Sequence, residues 1–291
     1  MESRNPIFAR AEGFNGRGSA NAYGNTTYPA NGPQSTAHGD PSQWGTGAPG
    51  QVTQVDRGRM TIDSVVQKTG ITLGVVVLAA AATWFLTGDI DTQAQLNTLY
   101  GLSLFGALGG FALAMANTFK KVISPGLVLV YALVQGVFVG AFSKALETIF
   151  VDPNNPQQGG LVIGAVVGTM AAVAGTLAAY KFFNIQVGTK FRKWVIAAGM
   201  GFLAVTLLDM ILGFFGSSIG FNGFGALGLI MSVIGLGLGV LFLILDFDMV
   251  ERGIAAGVPE RESWRAAFGL TATIVFIYIE ILRILAILRG D

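Results

Sequence analysis

Acidic side chains inside apolar segments are the residues of this sequence best suited to chemistry. In residues 241–291, two apolar helices are expected to flank a charged turn. Asp246 and Asp248 come at the end of the first helix, and Glu280 lies deep in the second, three residues before Arg283. An ionised group in hydrocarbon needs a partner, a proton or water. We therefore expect these two helices to contain the functional site of the protein.

Two arrangements of these acids are open. Glu280 and Arg283 share one helix face, so they could form a buried ion pair that only holds the bundle together. Alternatively, Glu280 pairs with Asp246, and the two carboxylates share a proton and titrate as a unit. Asp248 points about 200° away from Asp246 on a helix, so it is the weaker candidate for this pairing and is expected to meet Arg252. The Asp246–Glu280 pair would be a proton-sensitive gate, and its oxygens are hard ligands suited to Ca²⁺.

Two further polar residues are candidates for lining a pore. Gln135 falls near the middle of an apolar run, where an interhelical hydrogen bond is its ordinary role. Asp209 falls near the end of another run, where a solvated carboxylate is the ordinary explanation.

Composition points to a membrane protein without an enzymatic site. The 291 residues are 52% hydrophobic and 12% charged, with a mean hydropathy of +0.59. The sequence has no Cys, and its single His38 cannot complete a zinc site or a triad alone, so we expect neither an enzyme nor a cofactor. The net charge of +1, with basic residues scattered over the turns, gives no surface for nucleic acid.

The chain divides into a polar tail and an apolar domain. Residues 1–59 are rich in Gly, Asn and Ser and are expected to form a disordered cytoplasmic tail. From Met60, a short helix at the membrane surface is expected, with Thr61 and Asp63 as its N-terminal signals. Residues 60–291 predict an all-α fold, a bundle of seven transmembrane helices, because each apolar run approaches the about 20 residues that cross a bilayer. The spans are placed near 71–88, 98–117, 123–147, 161–181, 193–215, 225–248 and 268–288.

Loop charges predict the orientation, because Lys and Arg in short loops prefer the cytoplasmic side. Basic residues precede the first span and recur in alternate connections, with Lys144 as one mild exception. They are Arg57, Arg59, Lys68, Lys120, Lys121, Lys181, Lys190, Arg192, Lys193, Arg252, Arg261 and Arg265. We expect a multi-pass protein of the cell inner (plasma) membrane, with the N-terminus in the cytoplasm and the C-terminus outside.

Many glycines recur at the spacing of helix-packing motifs, where small residues let backbones approach closely. The pairs are Gly106 with Gly110, Gly136 with Gly140, and Gly164 with Gly168. Gly235, Gly237 and Gly239 would also make their helix easy to bend just before Asp246.

Several segments resemble the Bax inhibitor-1/YccA family of transmembrane proteins over about residues 61–289. IYIEILRILAIL resembles that family's final helix, with Glu280 at the acidic position, and LILDFDMVERG is similar to its ILYDTxxI segment. SPGLVLVYALVQGVFVGAFS at 124–143 and GLVIGAVVGTMAAVAG at 160–175 are further matches. The MESRNPIF opening and Gly-rich tail are similar to the actinobacterial branch.

The resemblance implies a seven-helix protein whose last helix is central, with a di-carboxylate sensor between spans six and seven. Glu280 would take the span-seven acid, and Asp246 or Asp248 the span-six acid. Gln135 stands where the family has an acid, and Arg283 is the substitute for an arginine missing from span two. The implied function is a pH-sensitive Ca²⁺ leak. The alternative is a non-conducting regulator that binds a membrane protease or another integral partner, and an ion-coupled transporter is a third hypothesis.

Overall fold

The computed structural model describes residues 58–151, 160–183, 185 and 187–290. Within them, long helices follow one another with short connections, and a 3-10 turn, Glu260–Glu262, precedes the last helix. The helices are α1 Ile62–Leu86, α2 Gln93–Phe119, α3 Pro125–Phe150, α4 Leu161–Phe182, α5 Thr189–Phe214, α6 Ala226–Ala255 and α7 Ser263–Gly290.

All seven of these described helices are long and apolar enough to cross a membrane. Apolar runs of this length take the helical form because lipid offers no partner for the backbone groups, which a helix satisfies internally. The predicted class, an all-α multi-pass membrane protein, is confirmed. Of the predicted disordered tail, residues 1–57 lie outside the described residues.

The start of the first span differs from the prediction. No separate surface helix forms, because α1 runs unbroken from Ile62 to Leu86. Thr61 caps it, since its side chain accepts a hydrogen bond from the Ser64 amide and Ser64 bonds back to the Thr61 amide. The chain is already fixed before this cap, because the Met60 amide donates to the Val258 carbonyl at 2.9 Å. A backbone hydrogen bond therefore joins the segment before α1 to the α6–α7 connection.

The last helix, α7, is the centre of the bundle. It packs against α1, α3, α4 and α6. Its membrane-spanning part is 56% buried, the largest share among the described helices, whereas that of α5 is only 11% buried. The central last helix that the family resemblance implied is thus confirmed, and α5 is the most peripheral helix.

The two ends of the bundle differ in charge. We call the end with the α2–α3, α4–α5 and α6–α7 connections the basic end, and the other the opposite end. At the basic end, Lys68 pairs with Glu260 at 2.9 Å, and Arg261 Nε donates to the Ile123 carbonyl at 2.8 Å. These contacts join α1, the α2–α3 connection and the α6–α7 connection. Which compartment the basic end faces stays a prediction.

Glycine spacing does place backbones in contact, as predicted. A Cβ at Gly136 would lie 2.5 Å from the Val76 carbonyl oxygen, so α1 and α3 could not approach this closely with a larger residue. Gly235 and Gly239 of α6 face α7, whereas a Cβ at Gly237 would meet nothing within 4 Å. All three glycines lie within one continuous helix, α6.

Candidate functional site

The acids of α6 and α7 lie at two separate levels of one antiparallel interface. Asp246 Oδ2 accepts a hydrogen bond from Thr273 Oγ1 at 2.6 Å, and a Cβ at Gly269 would lie 3.3 Å from Asp246 Oδ1. Glu280 instead lies opposite Gly235, where an added Cβ would be 2.8 Å from its Cδ. The first level is near the basic end, and the second is in the opposite half of the bundle.

The predicted carboxylate pair is therefore not formed. Thr273 and Glu280 are seven residues apart, which is about 10 Å along a helix. In this antiparallel register, Asp246 faces residues 269–273, so it cannot also reach Glu280. Because Asp246 and Glu280 do not meet, the Ca²⁺ site that they were predicted to share is not formed. The described residues also contain no cluster of three or more His, Cys, Asp or Glu suited to a metal ion.

Glu280 pairs with Arg283 instead, which is the other arrangement that the spacing allowed. Arg283 Nη1 lies 3.5 Å from Glu280 Oε2, and the two residues are only 7% and 3% exposed. Arg283 Nη2 also donates to the carbonyls of Phe221 and Gly223, at 3.1 and 3.4 Å. The arginine thus joins the buried acid to the α5–α6 connection, residues 215–225.

Asp209 organises that same connection. Its Oδ1 accepts from the Ile219 amide at 2.7 Å and its Oδ2 from the Asn222 amide at 2.7 Å. Ser218 Oγ and the Gly220 amide also donate to Oδ1, both at 3.1 Å. The residue is 1% exposed, so the expected solvated carboxylate is wrong. A carboxylate so fully bonded to one loop fixes the backbone that Arg283 then binds.

Asp248 lies at the basic end between two arginines. Arg252 Nε donates to its Oδ1 at 2.9 Å, as predicted, and Arg192 Nη2 of α5 donates to its Oδ2 at 2.8 Å. Asp248 is 7% exposed, whereas Asp246 is half-buried. The sequence ranked Asp246 as the deeper acid. The structure buries Asp248 more, because α6 continues past it to Ala255 and the Arg192 side chain of α5 lies against it.

Gln135 is not part of the α6–α7 site. It lies on the α2–α3 interface, where a Cβ at Gly110 would be 2.5 Å from its Oε1. The structure therefore places this predicted pore-lining residue against a packing glycine of α2, apart from the acids.

Sequence reasoning missed the role of Lys144. This buried lysine of α3 donates to the Trp84 carbonyl at 2.7 Å, to Thr87 Oγ1 at 2.9 Å and to the Gly88 carbonyl. It thereby satisfies carbonyls at the C-terminus of α1, where a positive charge is favoured. Its position inside an apolar run was the available signal.

The fold and these charged contacts define a class of protein, a multi-pass membrane protein whose described residues form seven long apolar helices, with ionisable groups buried along the central one. The model of one family, described as Bax inhibitor 1 like, matches residues 5–290. Because the match spans nearly the whole chain, the protein belongs to the Bax inhibitor 1-like family. A comparison with curated proteins finds no significant match.

Proposed function

We propose that the protein is a proton-sensitive cation pathway, with Ca²⁺ as the permeant ion. The observation that carries the proposal is that Asp246 and Glu280 lie at two depths of one membrane-spanning interface. Ionisable residues inside a membrane are costly and mark ion or proton paths. Glu280 is matched by Arg283, while the described hydrogen bond to Asp246 comes from the neutral Thr273.

The Glu280–Arg283 pair would act as the proton-sensitive part. A proton on Glu280 removes the charge that Arg283 neutralises, so it weakens the hold on the arginine and on the connection that the arginine binds. Asp246 would attract cations at its own level, because it carries negative charge without an arginine partner in the described contacts. Acidification should therefore raise the Ca²⁺ flux over the pH range in which Glu280 takes a proton and Asp246 keeps its charge.

The test is Ca²⁺ entry into dye-loaded liposomes across a pH series. We expect wild-type flux to rise on acidification, Glu280→Gln to conduct at every pH because it carries no charge, and Asp246→Asn to conduct less. Glu262→Gln is the matched control, since Glu262 pairs with Arg265 at the same spacing but is 31% exposed. Flux that responds to neither pH nor the Glu280 and Asp246 variants would refute the proposal.

The second candidate is a non-conducting regulator that binds a membrane protease or another integral partner. A surface groove of about 460 Å³ favours it, because apolar side chains of α1, α3, α4 and α7 line this groove within the membrane-spanning region. We call it the α1 groove. Crosslinking in native membranes, with and without residues 1–56, tests this function. A protein that crosslinks to no partner in either form would count against it.

A further inference from the structure

A second groove lies on the other side of α7, beside the peripheral helix α5. It has a volume of about 430 Å³ and is lined by residues within 196–206 of α5, by Phe242 of α6 and by residues within 272–276 of α7. We call it the α5 groove. Of the helices that form it, α5 is the least buried, so the groove has one loosely packed wall.

The α5 groove extends between the two levels of acids that the α6–α7 interface keeps apart. Thr273 lines it, and the hydroxyl of this residue donates to Asp246 at 2.6 Å. Phe202 also lines it, and the Phe202 ring meets the same point of α6 as Glu280 does. A Cβ added at Gly235 would lie 2.9 Å from Phe202 Cζ and 2.8 Å from Glu280 Cδ.

Three phenyl rings fill the middle of the α5 groove. The rings of Phe202 and Phe276 meet edge to face with centroids 5.9 Å apart, and those of Phe242 and Phe276 are 6.5 Å apart. Phe242 is seated on Gly199, where no Cβ could be added without a clash. A constriction of apolar rings stops hydrated ions because water leaves it, even where it is wide enough to hold water.

We infer that cations cross the membrane along the α5 groove, from the level of Asp246 to that of Glu280, and that Phe276 with Phe202 and Phe242 closes this route. The inference rests on the proposed function and names its path. The α1 groove is the alternative path through the described residues. Neither groove is lined by a carboxylate. The α5 groove nevertheless lies beside both acids, because Thr273 bonds Asp246 and Phe202 lies next to Glu280 at Gly235, whereas no described hydrogen bond joins the lining of the α1 groove to either acid.

The α5–α6 connection links Glu280, through Arg283, to α5, the loosely packed wall of the groove. Asp209, on α5, accepts hydrogen bonds from the amides of Ile219 and Asn222, and Arg283 donates to the carbonyls of Phe221 and Gly223. The connection is therefore held from α5 at one side and from α7 at the other. Release of Arg283 frees the segment that keeps α5 against α7, which lets the aromatic constriction widen.

Cysteine accessibility tests the path without depending on flux, because the chain has no native cysteine. Ala272→Cys and Thr206→Cys place a thiol in the α5 groove, and Val166→Cys places one in the α1 groove as a control. Each is made with Phe276→Ala and treated in liposomes with a charged, membrane-impermeant thiol reagent. We expect labelling at 272 and 206 at least about tenfold faster than at 166, because thiolates react in water and not in lipid. Equal rates at all three positions would overturn the inference.

Flux through ring variants tests the constriction itself. Phe276→Ala should raise Ca²⁺ flux by about tenfold or more at neutral pH, and Phe276→Leu, which preserves apolar packing, should raise it less. Phe268→Ala is the matched control, because Phe268 is on α7 but packs against Tyr131 of α3 at 4.9 Å. If wild type conducts and Phe276→Ala does not exceed Phe268→Ala, the route is wrong and the proposed function stands. If no protein conducts at any pH, the proposed function fails and the route fails with it.

Discussion

Replacing Arg283 by methionine should lower the free energy of unfolding far more than the same replacement of a solvent-exposed arginine. The side chain is 8% exposed and contacts Glu280 and two backbone carbonyls. Methionine fills most of the volume but donates no hydrogen bond. Glu280 then keeps a charge without a partner or takes a proton, and either state costs free energy. Breaking a buried pair at one partner costs about 3–5 kcal/mol, and we expect a loss of that order.

A matched control exists on the same helix. Arg265 pairs with Glu262 at 2.7 Å and also donates to two carbonyls, those of Lys120 and Lys121. Its side chain is 32% exposed, so water can replace the lost partners. Arg265→Met should therefore cost only about 0–1 kcal/mol.

The free energy of unfolding of both variants can be measured by steric trapping in bicelles. The double variant Glu280→Gln/Arg283→Met should recover part of the loss of Arg283→Met, because the orphaned acid is gone. The reasoning is refuted if Arg283→Met costs no more than Arg265→Met. It is also refuted if the double variant is as unstable as Arg283→Met alone.

Two further predictions concern the packing and the basic end. Gly136→Leu should abolish the close contact of α1 with α3 and lower the free energy of unfolding by about 3 kcal/mol or more. Gly74→Leu is the control and should change the stability little, because an added Cβ there meets nothing within 4 Å. Thermal aggregation in detergent measures the difference, and equal melting temperatures of the two variants would contradict the prediction. Asp248→Asn should lower the free energy of unfolding by only about 1 kcal/mol, because the side chains of Arg192 and Arg252 are 42% and 52% exposed and water can replace the lost partner. A loss as large as that of Arg283→Met in the same unfolding measurement would contradict this prediction.

Much of the candidate site followed from local spacing. The Glu280–Arg283 and Asp248–Arg252 pairs lie within one helix at i+3 and i+4, where neighbours on a helix face are fixed by the pitch. Contacts between elements were beyond the sequence. Arg192 reaches Asp248 from another helix, and nothing local marks that contact.

For the residues that the structure describes, the sequence by itself determined seven membrane-crossing helices and their order, because lipid imposes a span length and leaves the backbone groups to be satisfied within the helix. Tertiary structure alone decided that Asp246 faces Thr273 while Glu280 faces Gly235. The physical reason is register. The register of α6 against α7 is set by Gly235 and Gly239, which make room for side chains of α7. At about 1.5 Å of rise per residue, this register leaves about 10 Å between the level of Asp246 and that of Glu280, which is much farther than a carboxylate side chain can reach.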